Sequence, residues 1–173
     1  MNIPQSSHPR IIIIGGGFGG ISLAKKLAGQ EVQVVLMDKH NYHTFQPLLY
    51  QVSTGGLEPD SIAYPIRKIL QGYDNFYFRL AEVNQIETDK RIVKTNIGDL
   101  KYDYLVVAVG TETNFFGNKT LQQNSMAMKT IPQALNLRSL ILENFEQALL
   151  TDDYHEREAL MNFVIVGGGP TGV

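Results

Sequence analysis

The first forty residues alternate between apolar runs and glycines in a pattern typical of a βαβ unit. Four isoleucines at 11–14 lead into glycines, and a second apolar run covers 32–38. Such β-branched runs suit strands that are buried on both faces of a parallel sheet. Between them, "GGISLAKKLAG" has apolar residues at near-helical spacing, and Gly29 suits the end of a helix. The pattern predicts a strand, a glycine turn, a helix and a strand in direct succession.

Residues 40–70 lose this regular pattern, and we expect a loop with short helical pieces that ends in a helix over 61–70. A long, aromatic and weakly periodic stretch inside a compact domain often binds ligands. Further strands are predicted over 75–89, 91–96 and 102–110, with a turn at Gly98–Asp99. Turn signals between short apolar runs are typical of a β-meander, which would lead back into the sheet.

The last third of the chain contains a long amphipathic pattern. Residues 131–150 place their apolar side chains on one helical face, and Pro132 suits the first turn of a helix. The members of this face are Ala134, Leu137, Leu140, Ile141, Phe145, Ala148 and Leu149. Residues 118–130 have the pattern of a connecting segment, and the apolar run 163–166 predicts a final strand.

Composition and charge narrow the classes of function. The chain has 173 residues, of which 43% are hydrophobic and 18% charged, as in a soluble globular protein. A net charge of -2, with scattered basic residues, argues against a nucleic-acid partner. The absence of cysteine excludes thiolate, disulfide, iron–sulfur and cysteine–zinc chemistry within these residues. The apolar run near the N-terminus is too short for a signal peptide, so a cytoplasmic location is expected.

Gly15, Gly17 and Gly20 match the pattern G-x-G-x-x-G between the first strand and its helix. In this motif the first glycine permits a tight turn, the second lets backbone approach a pyrophosphate, and the third lets the helix pack against the strand. The phosphates then lie at the helix N-terminus, which attracts anions. Asp38 ends the next strand, where an acid can accept hydrogen bonds from ribose hydroxyls. Together these residues predict a dinucleotide site without a 2′-phosphate, for either FAD or NAD.

The motif recurs near the end of the chain as Gly167, Gly169 and Gly172. Two such motifs imply two cofactors, most simply a tightly held flavin and an exchanging nicotinamide nucleotide. A hydride would pass from NAD(P)H to the flavin, and electrons would then pass to an acceptor. Only one residue follows Gly172, so the helix and the ribose-binding acid of a second site lie outside this sequence.

Four blocks give the chain a specific resemblance: "GGGFGG" (15–20), "MDKHNYHTFQPLLYQVSTGGLEP" (37–59), "YDYLVVAVGTETNFFG" (102–117) and "FVIVGGGPTGV" (163–173). Through them it resembles the N-terminal part of the two-dinucleotide-binding flavoproteins, and within these the type II NADH:quinone oxidoreductases. The stretch "FQPLLYQV" is more specific to this branch than the glycines. The resemblance implies an α/β fold: a Rossmann-like FAD-binding lobe over residues 1–117, with a parallel sheet, a βαβ start and a β-meander, then the beginning of a Rossmann-like NADH-binding lobe over 118–173.

The resemblance also implies which residues bind each cofactor. For FAD these are the turn residues Gly15, Gly17, Phe18, Gly19 and Gly20, the ribose acid Asp38 and its neighbour Lys39, the flavin-ring block Gln46, Pro47 and Leu48 with Thr54 behind it, the adenine-side residues Glu82 and Val83, and the strand-end residues Gly110 and Thr111. For NADH they are Gly167, Gly169 and Gly172. No catalytic residue and no metal ligand is assigned.

The activity implied for the parent family is hydride transfer from NADH through FAD to a membrane quinone, without proton pumping. The parent protein would be peripheral on the inner face of the cell membrane, and we expect this chain to be an N-terminal fragment of it. Two alternatives stay open. One is an inactive truncated module that binds FAD, and the other is a cysteine-independent reductase with a protein acceptor, such as ferredoxin or rubredoxin. NADPH stays an alternative to NADH.

Overall fold

A computed structural model describes residues 1–169 and 171 of the chain. Its strands are β1 (Arg10–Ile14), β2 (Gln33–Asp38), β3 (Tyr42–Thr44), β4 (Ala63–Pro65), β5 (Phe76–Leu80), β6 (Val83–Glu87), β7 (Ile92–Thr95), β8 (Gly98–Lys101) and β9 (Tyr104–Val107). Its helices are α1 (Phe18–Leu27), α2 (Leu49–Ser53), α3 (Ile66–Ile69), α4 (Lys119–Asn124), α5 (Ile131–Leu150) and α6 (Tyr154–Met161), with short 3-10 helices at Gln46–Leu48 and Pro59–Ser61.

A parallel sheet organises the first part of the chain, with its strands in the order β5, β2, β1, β9. Ile12 of β1 pairs with Val35 of β2 on one side and with Leu105 of β9 on the other, so β1 is an inner strand. α1 connects β1 to β2 and completes the predicted βαβ unit. The predicted α/β fold class is confirmed.

Both faces of this sheet are covered. Ile13 packs with Ala24 of α1 and with Ile66 of α3 on one face. Ile12 points to the opposite face and packs with Val93 of the meander. Because successive residues of a strand point to opposite faces, a strand buried on both sides requires an uninterrupted apolar run. This explains why four consecutive isoleucines precede the glycine turn.

The predicted β-meander is present as the antiparallel sheet of β6, β7 and β8. The predicted turn at Gly98–Asp99 is wrong by two residues, because Thr95 pairs with Gly98 and residues 96–97 form the turn. The hydroxyl of Thr95 donates to the Gly98 carbonyl at 2.6 Å and accepts from the Ile97 N–H at 3.2 Å. Gly98, with φ of +111°, is therefore the first residue of the returning strand.

The helix predicted over 61–70 is wrong in its first half. Residues 63–65 form β4, which joins β3 in a two-stranded sheet, and only Ile66–Ile69 are helical. Pro65 explains the difference, because proline lacks a backbone donor and disfavours the helical conformation of the residue before it. The N–H of Ile66 donates to the carbonyl of Asn41 at 3.0 Å, so it does not form the bond to residue 62 that a longer helix would require.

α5 occupies residues 131–150 as predicted, and a capping box defines its start. The hydroxyl of Thr130 accepts from the Gln133 N–H at 3.4 Å, and the Gln133 side chain accepts from the Thr130 N–H at 3.1 Å. Near this end Ala134 is fully buried against Leu49 and Val52 of α2. The apolar face is covered only in part, since the exposed fractions of Phe145 and Leu149 are 39% and 80%.

Two further segments differ from their sequence patterns. Residues 118–130, expected to be a plain connection, contain α4, whose first turn is capped by the Asn118 side chain accepting from the Leu121 N–H at 2.9 Å. The strand predicted over 163–166 is wrong, because the structure has no strand there. A strand requires a hydrogen-bonded neighbour, and none of the described residues pairs with this stretch, in which Val164 is 87% exposed.

Contacts divide the chain into two compact units. The first contains Met1–His43 and Tyr64–Thr111, and the second contains Thr44–Ala63 and the chain from Glu112 onward. The second unit therefore includes a stretch from the early part of the sequence, whereas the expected domains change at residue 117; that division by cofactor stays a prediction. Within the described part of the chain, no helix combines the length and the apolar character needed to cross a membrane.

Candidate dinucleotide-binding site

The order of the strands reverses at β1 in the parallel sheet. From β1 the chain proceeds to β2 and β5 on one side, and it later returns to β9 on the other side of β1. The carboxyl ends of β1 and β9 meet at this point, where the N–H of Ala108 donates to the Ile14 carbonyl at 2.8 Å. In open α/β sheets, ligands bind in the crevice outside such a reversal of strand order.

The glycine turn leaves β1 at this reversal of strand order, and two of its glycines are required by close packing. Gly15 has φ of +108°, and a Cβ there would overlap with the carbonyl group of Ala108. A Cβ on Gly20 would overlap with the carbonyl oxygen of Gly15 and approach Cγ2 of Ile13 to 3.3 Å. The first and third glycines thus allow the turn to reach β9 and α1 to pack against β1.

Gly17 differs from these two glycines. A Cβ on Gly17 would meet no atom within 4 Å, and its φ of −75° is open to any residue. Gly17 is also the N-cap of α1, and no side chain among the described residues caps this helix end. The turn therefore has an open side at a helix N-terminus, where backbone N–H groups and the helix dipole favour an anion.

Asp38, at the end of β2, is bonded to the glycine turn. Its Oδ2 accepts from the Gly16 N–H at 2.5 Å, and its Oδ1 accepts from the His40 N–H at 2.7 Å. A carboxylate has about four acceptor positions, so two bonds leave room for further donors such as ribose hydroxyls. The predicted ribose acid lies beside the turn, and it also shapes the turn.

Two residues beside this acid, Gly16 and His43, were not among the predicted cofactor-binding residues. A Cβ on Gly16 would lie 2.5 Å from Cδ1 of Ile66 and 3.2 Å from Oδ2 of Asp38. Nδ1 of His43 is 2.9 Å from the Gly16 carbonyl oxygen, and its ring meets the Phe18 ring edge-to-face with 4.9 Å between centroids. Gly16 is the middle one of three consecutive glycines, and the motif does not require it; this extra glycine is a sequence signal for the close packing at this position.

Other predicted residues of the first unit lie at the same edge of the sheet. β5 pairs with β2, and the Ala81 N–H donates to the Asp38 carbonyl at 2.9 Å. Glu82 and Val83, which come directly after Ala81, therefore lie near the end of β2. The Glu82 N–H is held by the side chain of Asn96 at 2.8 Å. The remaining members of this group are Lys39 after β2, Phe18 and Gly19 at the start of α1, and Gly110 and Thr111 after β9.

The predicted flavin-ring block lies in the second unit. Gln46, Pro47 and Leu48 form a short 3-10 helix, and Leu48 packs against the core formed by α2 and α5. The amide nitrogen of Gln46 donates to the Lys129 carbonyl at 3.4 Å. The Thr54 hydroxyl donates to the Tyr50 carbonyl at 2.9 Å, so it closes α2. Each unit thus contains part of the predicted FAD set.

The second glycine motif is described only in part. Gly167 has φ of +112°, like Gly15, and a Cβ on Gly167 or Gly169 would meet no atom within 4 Å. Gly172 lies outside the described residues. Neither a strand before the motif nor a helix after it is present in the part of the chain that the structure describes.

A parallel sheet with a glycine turn at its switch point defines a Rossmann-type dinucleotide-binding protein. The model of the pyridine nucleotide-disulphide oxidoreductases matches residues 9–173. The chain belongs to this family. Because it has no cysteine, these 173 residues contain no redox disulfide of their own.

Individual relatives show which members of the family this chain is similar to. The type II NADH:quinone oxidoreductase NdhA of Mycobacterium tuberculosis is 44% identical over 168 residues, which cover 95% of this chain and 36% of the relative. The external alternative NADH-ubiquinone oxidoreductase of Yarrowia lipolytica mitochondria is 34% identical, over 96% of this chain and 31% of its own. The structure of NDH2 from Plasmodium falciparum in complex with NADH superposes with a TM-score of 0.77 at 27% identity, over 87% of this chain and 32% of that one. The chain spans about a third of the length of each.

Proposed function

We propose that this chain is the FAD-binding part of a type II NADH:quinone oxidoreductase. The observation that carries the proposal is the open side of Gly17 at the N-terminus of α1, next to an acid that ends β2. A pyrophosphate fits the open side of Gly17, and a ribose fits the acid at the end of β2. The relative of M. tuberculosis, at 44% identity over nearly the whole chain, supports the choice of this branch.

When bound, FAD would supply the hydride acceptance and onward electron transfer that NADH oxidation by a quinone requires. The residues of this chain would bind and orient it. Gly15, Gly17 and the first turn of α1 would hold the pyrophosphate, and Asp38 would accept from the ribose. Glu82 and Val83 would lie on the adenine side, and the Gln46 to Leu48 block on the ring side.

The second motif supports a further part of the proposal, a site for NADH that is completed by residues outside this sequence. Gly167 repeats the positive φ of Gly15. Respiratory quinones reside in the lipid bilayer, so a longer protein with these residues would work at the membrane surface, on its cytoplasmic face. A module that binds FAD without turnover is the second candidate function, and the experiments below distinguish it from the first.

The experiment is a titration of the purified chain with FAD, followed by flavin fluorescence. Gly17→Ala is expected to fold normally, since its Cβ meets no atom, and to weaken FAD binding at least about tenfold by occupying the path of the pyrophosphate. Gly169→Ala is the matched control at the same position of the second motif and is expected to leave FAD binding unchanged. Equal losses in the two variants, or no FAD binding by the unmodified chain, would contradict the proposal.

A second titration distinguishes an oxidoreductase that is complete in these residues from a module that only binds FAD. NADH is added to the FAD-loaded chain while the visible flavin absorbance is followed. Prompt bleaching, with turnover when a soluble quinone is added, would support an oxidoreductase complete in these residues. If NADH does not bleach the bound flavin, the result supports the hypothesis that this part binds FAD and that NADH oxidation requires the rest of the protein.

A further inference from the structure

His43 is bonded to the backbone of the glycine turn although it lies 27 positions away. Its Nδ1 is 2.9 Å from the carbonyl oxygen of Gly16. A carbonyl oxygen can only accept, so Nδ1 of His43 must carry the proton in this bond. The ring is held in place by its edge-to-face contact with Phe18, at an interplanar angle of 86°, and by its position in β3.

The Gly16 residue is therefore held from two directions. Asp38 accepts from its N–H at 2.5 Å, and His43 donates to its carbonyl oxygen at 2.9 Å. The first bond orients the peptide between Gly15 and Gly16, and the second orients the peptide between Gly16 and Gly17. Two successive peptide planes of the turn are thus set by side chains from elsewhere in the first unit.

The second of these planes bears on the open side of the turn. In a planar trans peptide, the C=O of one residue and the N–H of the next point in opposite directions. When His43 holds the Gly16 carbonyl, it also sets the direction of the Gly17 N–H at the N-cap of α1. A Cβ added to Gly17 would meet no atom within 4 Å, so the space beside this residue is open.

We propose that His43 is a positioning residue for the dinucleotide site: it holds the Gly16–Gly17 peptide so that the Gly17 N–H is directed to the pyrophosphate before the ligand arrives. The proposal rests on the proposed FAD function. A donor that is oriented in advance strengthens binding because no ordering of the turn is then required on association. His43 does not itself contact the ligand in this account, and it takes no part in hydride transfer.

The test compares two variants of the same size and shape at position 43. In His43→Asn the amide nitrogen occupies nearly the place of Nδ1 and can donate to the Gly16 carbonyl, whereas His43→Leu has no donor. Both variants lose the ring contact with Phe18 equally. We expect the Leu variant to bind FAD about five- to tenfold more weakly than the Asn variant, as for one lost hydrogen bond. Equal affinities would overturn the proposal.

A readout without flavin keeps this test separate from the proposed function. The backbone amide resonance of Gly17, measured by 1H–15N NMR in the ligand-free chain, is expected to stay near its original position in the Asn variant and to move in the Leu variant. Thermal unfolding of both variants shows that each is folded at the temperature of the titration. If no form of the chain binds FAD, the proposed function fails, and the Gly17 resonance still decides whether His43 holds the turn.

Discussion

The backbone N–H of Gly16 donates a 2.5 Å hydrogen bond to Oδ2 of Asp38, across 22 positions of the chain. The other carboxylate oxygen accepts from the His40 N–H at 2.7 Å. Bonds between a carboxylate and backbone donors are charge-assisted and stronger than neutral ones. The acid at the end of β2 thus organises the glycine turn.

Replacement of Asp38 by Asn is expected to destabilise the chain by about 1–3 kcal/mol. The amide retains one oxygen acceptor, and its NH2 group faces a backbone N–H that it cannot accept from. Chemical denaturation gives the free energy of unfolding, and a flavin titration is expected to show weaker FAD binding as well. Asp74→Asn at an exposed position is the control for the loss of one charge. A stability equal to that of the control would refute the structural role of Asp38.

Gly20→Ala is expected to destabilise the chain by roughly 1–3 kcal/mol or more, because its Cβ would overlap with the backbone oxygen of Gly15. Gly19→Ala is the matched control in the same turn of α1. There the nearest atom to an added Cβ is Cβ of Ala108 at 4.0 Å, and alanine favours helix over glycine. Thermal melts of the two variants are expected to shift in opposite directions, or only in Gly20→Ala. Similar losses in both would show that the close approach of α1 to β1 is not the cause.

The meander contains an ion cluster with a defined pH dependence. Hydrogen bonds from Lys94 and Lys90 hold the pKa of Glu87 below its ordinary value. The stabilisation is therefore present above the pKa of Glu87 in the unfolded chain and is lost as the pH falls through the lower pKa of the folded chain. Glu87→Gln is expected to lower the melting temperature slightly at pH 7 and to melt with a shallower dependence on pH between about 3 and 5.

The control for this experiment is Glu143→Gln on the exposed side of α5. This variant also removes one carboxylate, and it is expected to keep the pH dependence of the unmodified chain. If Glu87→Gln and the unmodified chain have the same slope in acid, the contacts of Lys90 and Lys94 with Glu87 do not contribute to stability in solution.

The exposed apolar side chains at the C-terminal end of α5 lead us to expect that the purified chain self-associates. Leu149 and Leu150 are 80% and 86% exposed, and contiguous exposed apolar surface promotes association. The double substitution Leu149→Lys and Leu150→Lys is expected to shift the sedimentation profile toward monomer. Ser139→Lys with Gln147→Lys adds the same charge on α5 without removing apolar surface. An equal shift in this control would attribute the effect to charge alone.

Local patterns along the chain were sufficient for much of the fold. The run 11–14, the glycines and the run 32–38 predicted β1, α1 and β2, since strand alternation and helix periodicity involve only near neighbours in sequence. The span of α5 was also predicted correctly, because the apolar spacing and Pro132 mark it locally. The site glycines were found for the same reason, as their spacing is fixed by one turn.

The errors have causes that become visible only in three dimensions. The pairing of Thr95 with Gly98 set the meander turn two residues before the predicted one. Residues 163–166 have a good strand pattern and no strand, because the described residues include no neighbour to pair with them. A strand pattern expresses the capacity for pairing, and only the packed chain shows whether a partner is there.

The sequence by itself determined the succession β1, α1, β2, the span of α5, the α/β class and the positions of the glycine motif and its acid, because each depends on residue spacing along a short stretch of the chain. The tertiary structure alone decided that Gly16 is held between Asp38 and His43, that Gly15 needs its positive φ to pass Ala108, and that Gly17 is left open. These relationships join residues that the chain separates and the sheet brings together. They follow from close packing at the switch point, which no local pattern contains.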